Sequence, residues 1–458
     1  MSIKSVHLTN YYHKDSGGIS TAYNKLLEGA NRHRRYVRLI VPGEETVTEE
    51  VGEFGRIYYV KAGYSPVFDK RYRILLPWKT YLLDQSPIKR ILRQEKADLI
   101  EIGEKYTLGL MAGLIRKGIM KVSSERPVLV HYSCERMDDN VSAFLSAGRL
   151  SRRFSRAVMR NYIFPMFDFH VTNSDYTAAE LRDAASLESE RGETGHFRNF
   201  CWRLLRTPKS LPRQRIFVNQ CGVDINSFSA FRRSAEKRRW LCGEFDVPET
   251  AVILLYAGRI SPEKNVGLLP EIMKRLSAQS EHDFRLLVAG AGPEKEKLAA
   301  RFSSEVPGKV RMVGHLNDTD VLADLFANCD AFVHPNPREP FGITPLEAMA
   351  SGLPVAAPNS GGVLSYANDT NAWLCDPTPE SFADAMIDIF TDGDKRRNRI
   401  ENALETAKRY DWETSTSNLF ALYDRLHEDF MLNKTAFVYK KAPKDTDFSQ
   451  EAVSHARS

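Results

Sequence analysis

No run of about 18 apolar residues occurs in this 458-residue chain, so nothing in it reads as a membrane-spanning helix. Clustered cysteine is missing too. Cys134, Cys201, Cys221, Cys242, Cys329 and Cys375 are scattered, with no CxxC pair and no histidine at zinc spacing, which argues against a disulfide framework or a zinc finger. Free thiols in a reducing, cytoplasmic compartment are the expectation, and Met1 to Thr9 is too short and polar for a secretory leader. No helix-turn-helix or aromatic RNA-binding signature is present, so nucleic acid is not an expected partner. The third glycine of a GxGxxG fingerprint is also lacking, because Lys295 stands where it belongs after Gly290-Ala291-Gly292, and dinucleotide binding is not supported.

What is present suits two or three ordinary globular domains, with a hydrophobic fraction of 42%. The net charge of +5 conceals an asymmetry. Through Ile225 there are 36 Lys and Arg against 25 Asp and Glu, whereas the remainder has 28 against 34. A basic first half should face an acidic partner or a negatively charged surface, and membrane phospholipid fits at least as well as any other.

Short apolar strands alternate with helical periodicity along the chain. Val6–Thr9, Val37–Val41, Ile57–Val60, Leu99–Ile102, Val128–His131 and Phe169–Thr172 read as strands, with Gly17 and Gly18 between the first strand and a helix start. His131 ends a buried strand, the place where open α/β sheets gather ligands. Residues 66–92 are rich in aromatics and cations and read either as an acceptor or membrane face or as a solvated excursion. Arg149 to Phe164 reads as a basic helix. Between 187 and 215, Phe197, Phe200, Cys201, Leu204 and Leu205 recur at helical spacing with arginines off the stripe. Such a helix lies on a membrane surface or docks on the domain's own core.

From Val252 the alternation is clean: strands at Val252–Tyr256, Phe284–Ala289, Val310–Val313 and Ala331–Val333, separated by helices, as in a doubly wound parallel sheet. Gly258-Arg259 closes the first of these strands and Lys264 follows, two cations able to reach one pyrophosphate. Two Asp-Thr-Asp tripeptides begin at Asp318 and Asp445; a helix cap explains the first and a polar tail holds the second, so no metal site is expected.

Pro335 to Gly362 carries the most information. After a buried strand comes a polar loop, then a short helix for which Thr344 is the expected N-cap, Pro345 the first helical residue and Glu347 the capping-box partner. Gly342, Ile343 and Thr344 present amides along the helix axis, a natural anion site. Glu339 and Glu347 flank the loop.

GRISPEKN (258–265), NSDYTAAEL (173–181), the CGVD turn (221–224) and above all EPFGITPLE (339–347), with its E-x7-E spacing, resemble the retaining, nucleotide-sugar-dependent glycosyltransferases of family four. The resemblance covers roughly residues 1–430, strongly in the second half and loosely in the first. It implies an α/β GT-B fold of two Rossmann-like domains with parallel sheets facing a central cleft. The expected division is 1–222 for the acceptor side, 223–410 for the nucleotide-sugar side, 411–432 for a helix crossing back to the first domain and 433–458 for a disordered tail.

By the same resemblance, Glu339 meets the donor sugar and Glu347 the nucleotide ribose, while Arg259 and Lys264 bind the diphosphate. Gly17 and Gly18 form the first-domain glycine loop, His131 lies near the reacting centre, and Phe341, Gly342, Ile343 and Thr344 line the sugar and phosphate with backbone groups. Asn265 replaces the glycine common after this lysine. The implied partners are a UDP- or GDP-type sugar donor, with no cofactor or metal, and a hydroxyl acceptor. Three readings of function stay open: transfer to a lipid-linked or envelope glycan at the inner face of the cytoplasmic membrane, a soluble transferase or sugar phosphorylase with a small acceptor, and a non-catalytic sugar-binding scaffold.

Overall fold

The computed structural model describes residues 3–13, 17–65, 73–140, 149–190 and 212–437. Strands β1 (Ser5–Leu8), β2 (Val37–Gly43), β3 (Val47–Val51), β4 (Gly55–Lys61), β7 (Leu99–Ile102), β8 (Val128–Ser133), β9 (Phe169–Thr172) and β10 (Ile216–Val218) form one sheet; β5 (Gly63–Tyr64) and β6 (Arg73–Ile74) pair separately. The sheet runs β10-β9-β8-β7-β1-β2-β4-β3, parallel except where β3 lies against β4. Sequence periodicity misses β3, whose largely exposed Val-Thr-Glu-Glu-Val has no apolar face to betray it. The second sheet runs β13-β12-β11-β14-β15-β16 and is parallel throughout: β11 (Val252–Ala257), β12 (Phe284–Ala289), β13 (Val310–Gly314), β14 (Ala331–Val333), β15 (Val355–Pro358) and β16 (Trp373–Cys375).

Each sheet reverses its strand order beside its first strand. β1 lies between β2 and β7, and β11 between β12 and β14. A crevice opens at the carboxyl ends of the strands at such a reversal, because the flanking connections leave to opposite faces. Gly17-Gly18 follow β1 and Gly258-Arg259 follow β11, so both loops occupy these positions.

The helix Gly18–Arg32 buries Tyr23, Leu26, Leu27 and Ala30 against the first sheet. That core is completed from the far end of the chain: Phe420, Leu422, Tyr423, Leu426 and Phe430 of the helix Trp412–Leu432 pack with Leu26, Val41, Val130 and Phe169. The Tyr423 hydroxyl donates to the buried Glu101 carboxylate, and Glu101 also lies 2.9 Å from His7 Nδ1, its register partner on β1. Two passages connect the units, and they meet: Val223 bridges Asp411, with Val223 N–H donating to Tyr410 O (2.7 Å) and Trp412 N–H to Val223 O (3.3 Å).

Several expectations need correction. The tail is not structureless from 433: Lys434–Phe437 makes a helical turn, and Phe437 is buried in the first core, its carbonyl accepting from Arg116 (3.1 Å). Arg126 also donates to that carbonyl (3.4 Å) and Lys434 pairs with Glu125 (2.5 Å), so tertiary contacts hold a segment that lacks periodicity. The basic helix is an α-helix over Arg149–Val158 that loosens into a π turn, Met159–Ile163, before Phe164–Met166. The amphipathic stripe from Phe197 to Leu205, residues 66–72 and the second Asp-Thr-Asp at 445 lie outside the described residues.

Candidate active site

β14 ends at Val333, and the chain crosses from His334 to Phe341 before the helix Ile343–Ala350. Thr344 is not the cap. The N-cap is Gly342, in the left-handed region at φ 90°, and it makes no side-chain cap bond. The turn is too sharp for a Cβ: one placed on Gly342 would come 2.9 Å from Tyr366 Oη and 3.2 Å from Glu339 Cγ. Tyr366 explains the crowding, since its hydroxyl donates to the Gly342 carbonyl. Gly362 is equally constrained, because a Cβ there would lie 1.9 Å from Pro340 O. Phe341 is buried against the rings of Tyr366 (5.3 Å) and Tyr410 (6.3 Å), which leaves only its backbone to face a ligand.

Glu339 is held by three neighbours. Lys264 Nζ donates to both carboxylate oxygens, at 3.0 and 2.7 Å, and Asn336 Nδ2 to one of them at 2.9 Å. His334 Nε2 lies 3.7 Å away. Burial alone would raise this carboxyl, but the Lys264 ammonium and the hydrogen bonds from Lys264 and Asn336 outweigh it and hold it at about 2. His334 goes the other way, lowered to about 4 by burial against the attraction of Glu339, so its imidazole is neutral at physiological pH. Asn336 does carry a sequence signal: a side-chain amide three residues before Glu339, in the same loop, is within reach of its carboxylate.

Lys264 ends a short 3-10 turn, Pro262–Lys264, and Asn265 follows with φ 55°. Asparagine at this place is therefore conformationally coherent, since it tolerates this region better than most residues. Asn265 Nδ2 also donates to Pro335 O (3.0 Å), tying the lysine turn to the Glu339 loop. Arg259 Nη1 lies 3.9 Å from Glu263 Oε1, whose other neighbour is Ser261 Oγ at 2.6 Å. Gly290 and Gly292 serve packing: Cβ atoms there would meet Gly258 O at 1.9 Å and Ile260 O at 2.1 Å, so the turn after β12 lies directly on the Arg259 loop.

Glu347 is half-buried, and no hydrogen bond or ion pair reaches its carboxyl among the described residues. Burial, reinforced by the nearby Asp224 carboxylate, pushes it up to about 8. Asp224 is itself paired with Lys25 of the first unit at 2.9 Å. The capping-box role is not what this carboxyl does. Asp318 is a true cap, accepting from the N–H groups of Asp320 (2.8 Å) and Val321 (3.3 Å).

The first unit reaches the same place. A Cβ on Gly18 would lie 3.2 Å from Ile343 Cδ1, so the glycine loop after β1 abuts the start of the Ile343 helix. Ser174 Oγ donates to Pro340 O, and Asp139 faces Arg338 at 3.9 Å. Gly18, Lys264, Glu339, Gly342 and Ile343 thus lie where the units meet, with Thr344 and Glu347 on the Ile343 helix, Arg259 on the adjoining loop, and Gly17 beside Gly18, where an added Cβ would meet nothing within 4 Å.

His131 is not among them. Its side chain is fully enclosed, 5.2 Å from the Phe167 ring, with Nδ1 3.2 Å from His170 Nδ1. The period of two along β8 explains this: Val128 and Val130 face the core that holds the last helix, whereas Leu129 and His131 face the layer of Met159 to Phe167. β8 also runs on to Ser133, so His131 lies within the strand rather than at its end, and a position along a strand does not by itself settle which face a side chain takes.

Residues 243–406 match the family model for glycosyl transferases group 1. Over nearly its whole length the chain is similar to the GDP-mannose-dependent alpha-(1-6)-phosphatidylinositol dimannoside mannosyltransferase of Mycobacterium tuberculosis H37Ra, 24% identical over 421 residues that cover 92% of this chain and 95% of the relative. It is 28% identical to the D-inositol 3-phosphate glycosyltransferase of Corynebacterium urealyticum over 293 residues, 62% of each chain. The crystal structure of Anabaena Alr3699/HepE in complex with UDP and glucose superposes with a TM-score of 0.63 at 18% identity, covering 92% of this chain and 99% of that one. The fold is GT-B. The likenesses support nucleotide-sugar glycosyl transfer as the activity.

Proposed function

We propose that this chain is a retaining hexosyltransferase of family-four type that moves a hexosyl unit from a UDP- or GDP-sugar to a hydroxyl of a lipid-linked acceptor. The observation that carries the reading is the Glu339–Lys264 pair, locked by Asn336 and set beside the Gly342 turn at the meeting of the two units. A carboxylate held ionised at about 2 is a fixed acceptor for sugar hydroxyls. Lys264 and Arg259 neutralise the departing diphosphate, aided by the start of the Ile343 helix. Glu347, which no group among the described residues pairs, accepts from the ribose hydroxyls.

Glu339 is committed to Lys264 and Asn336, which suits orientation rather than attack on the anomeric carbon. A front-face reaction fits: the bond from the anomeric carbon to the diphosphate oxygen breaks, the bond to the acceptor oxygen forms on the same face, and the acceptor proton passes to the departing diphosphate. His131, enclosed in the core, has no part in it. The lipid-linked acceptor is favoured by an exposed apolar run in the basic half. Trp78, Leu82 and Leu83 are 58%, 43% and 67% exposed, with Lys79 and Arg90 exposed nearby. This would make the protein peripheral on the inner face of the cytoplasmic membrane.

A thermal-shift panel of UDP-, GDP- and ADP-sugars identifies the donor, and transfer with that donor tests the activity. Arg259→Ala should lose about a hundredfold in turnover, roughly 3 kcal/mol of barrier. Neither a shift nor transfer with any donor sinks the proposal. Co-sedimentation with anionic vesicles at low salt, abolished by Trp78→Ala with Leu83→Ala, tests the acceptor side, and full retention of binding in that variant removes the membrane part.

A further inference from the structure

A cavity of about 400 Å³, none of whose lining residues is among those assigned to the donor site, opens where the two interdomain passages meet. One wall is the outgoing passage from Phe217 to Cys221, and the other is Arg409 to Asp411 with the first turns of the helix Trp412–Leu432. Two guanidiniums line it, and neither is paired with a carboxylate among the described residues. Arg409 Nη2 donates only to Thr406 Oγ1, at 3.3 Å, and Arg425 lies over the Phe217 ring at 5.6 Å. Asp411, the carboxylate of the described lining, is occupied as a cap: it accepts from Thr414 N–H at 2.9 Å and Thr414 Oγ1 at 2.6 Å. Asn219, Ser415 and Asn418 complete a polar surface; Asn418 makes no hydrogen bond among the described residues, and Ser415 Oγ is turned to Gln220 O at 2.6 Å.

Two exposed cations without counter-ions among the described residues, lining with amides and hydroxyls a cavity roomy enough for a substituted monosaccharide, have a definite chemical complement. Guanidiniums favour the planar oxygen pairs of a phosphate, and asparagine and serine favour hydroxyls. We propose that this cavity binds a phosphomonoester carried on a polyol, of the sugar-phosphate or inositol-phosphate class, as a site separate from the cleft. The inference does not depend on which donor the cleft takes. Because both passages between the units form its walls, a bound ligand prefers one relative setting of the units and is linked to donor affinity in the cleft.

Isothermal titration calorimetry of the full chain with glucose 6-phosphate, inositol 1-phosphate and inorganic phosphate tests this. A polyol phosphate should bind saturably, at least tenfold more tightly than inorganic phosphate, and should still bind when the cleft is saturated with the nucleotide diphosphate. The Arg409→Gln, Arg425→Gln double variant should weaken that binding at least tenfold while keeping its melting temperature and its affinity for the nucleotide. Absence of binding by all three probes overturns the proposal, as does undiminished binding in a folded double variant. Displacement by the nucleotide would assign the ligand to the cleft instead, and equal affinity for inorganic phosphate would remove the polyol. Nucleotide binding is read in the same experiment, so failure here is distinct from failure of the transferase reading.

Discussion

Replacing Lys264 by methionine removes the cation and keeps most of the side-chain volume, leaving Glu339 buried without its main partner. An ordinary glutamate titrates near 4.5 and this one at about 2. That difference corresponds to roughly 3 kcal/mol in favour of the folded carboxylate, at about 1.4 kcal/mol per pH unit. It is a net figure, because burial opposes it. Glu339 has 12% of its side chain exposed and Lys264 27%, so solvent screens the pair only in part. Breaking a fully buried pair costs about 3–5 kcal/mol, and the exposure of Lys264 places this one near about 3 kcal/mol. A double-mutant cycle of Lys264→Met, Glu339→Gln and the combined variant, followed by urea unfolding at pH 7, should return a coupling of about 2–3 kcal/mol. The sign of the pH dependence is fixed as well. A depressed carboxyl stabilises the fold above its unfolded value of 4.5, and that contribution is lost as pH falls toward 2. The difference between the parent and Lys264→Met should therefore narrow between pH 6 and pH 3. A coupling below about 0.5 kcal/mol, or a difference that does not change with pH, would refute the assignment of Glu339 as a charge held by Lys264.

Three further outcomes can be checked. Glu347, raised to about 8, binds a proton in the folded protein that it has released in the unfolded one between 4.5 and 8, so it lowers stability as pH climbs through that range. Glu347→Gln should be more stable than the parent at pH 9, by on the order of 2 kcal/mol after allowance for partial exposure, and should lose any rise in nucleotide affinity between pH 6 and 9; thermal melts and calorimetry report both. Gly18→Val places its branches against Ile343 and should raise the KM for donor more than tenfold with little change in melting temperature, whereas equal KM values would separate the glycine loop from the donor. Tyr423→Phe strips a hydroxyl from the buried Glu101 and should cost about 1–3 kcal/mol in urea unfolding, an effect that a surface contact would not produce.

Much of the second unit was legible because its strands are short and apolar, the inner ones buried on both faces, and because Lys264 and Glu339 follow closely on strand ends. What stayed hidden depends on a third dimension. Thr344 satisfies every local rule for a cap, yet Tyr366, reaching in from a distant turn, fixes the Gly342 carbonyl and moves the helix start. His131 occupies the right rung of the right strand on the wrong face. Asn265 reads as a departure from a family pattern until its positive φ and its bond to Pro335 are seen together. Asn336 was within reach of sequence reasoning, as an amide one loop turn from a carboxylate, whereas the 3.2 Å approach of a Gly18 Cβ to Ile343 joins residues more than 300 positions apart and has no local signature.

The helix Trp412–Leu432 also constrains the order in which the molecule can be made. Its aromatic face belongs to the core of the unit synthesised first, and Tyr423 supplies a partner to a carboxylate buried there. At roughly 5–20 residues per second, a ribosome needs on the order of 10–40 s to pass from the end of the first unit to that helix. During this interval the leading unit exposes the groove that Phe420, Leu426 and Phe430 will fill. Maturation is thus not vectorial: the half that emerges first is finished last, and a transcript truncated before Trp412 would leave two incomplete folds rather than one intact domain and one missing one.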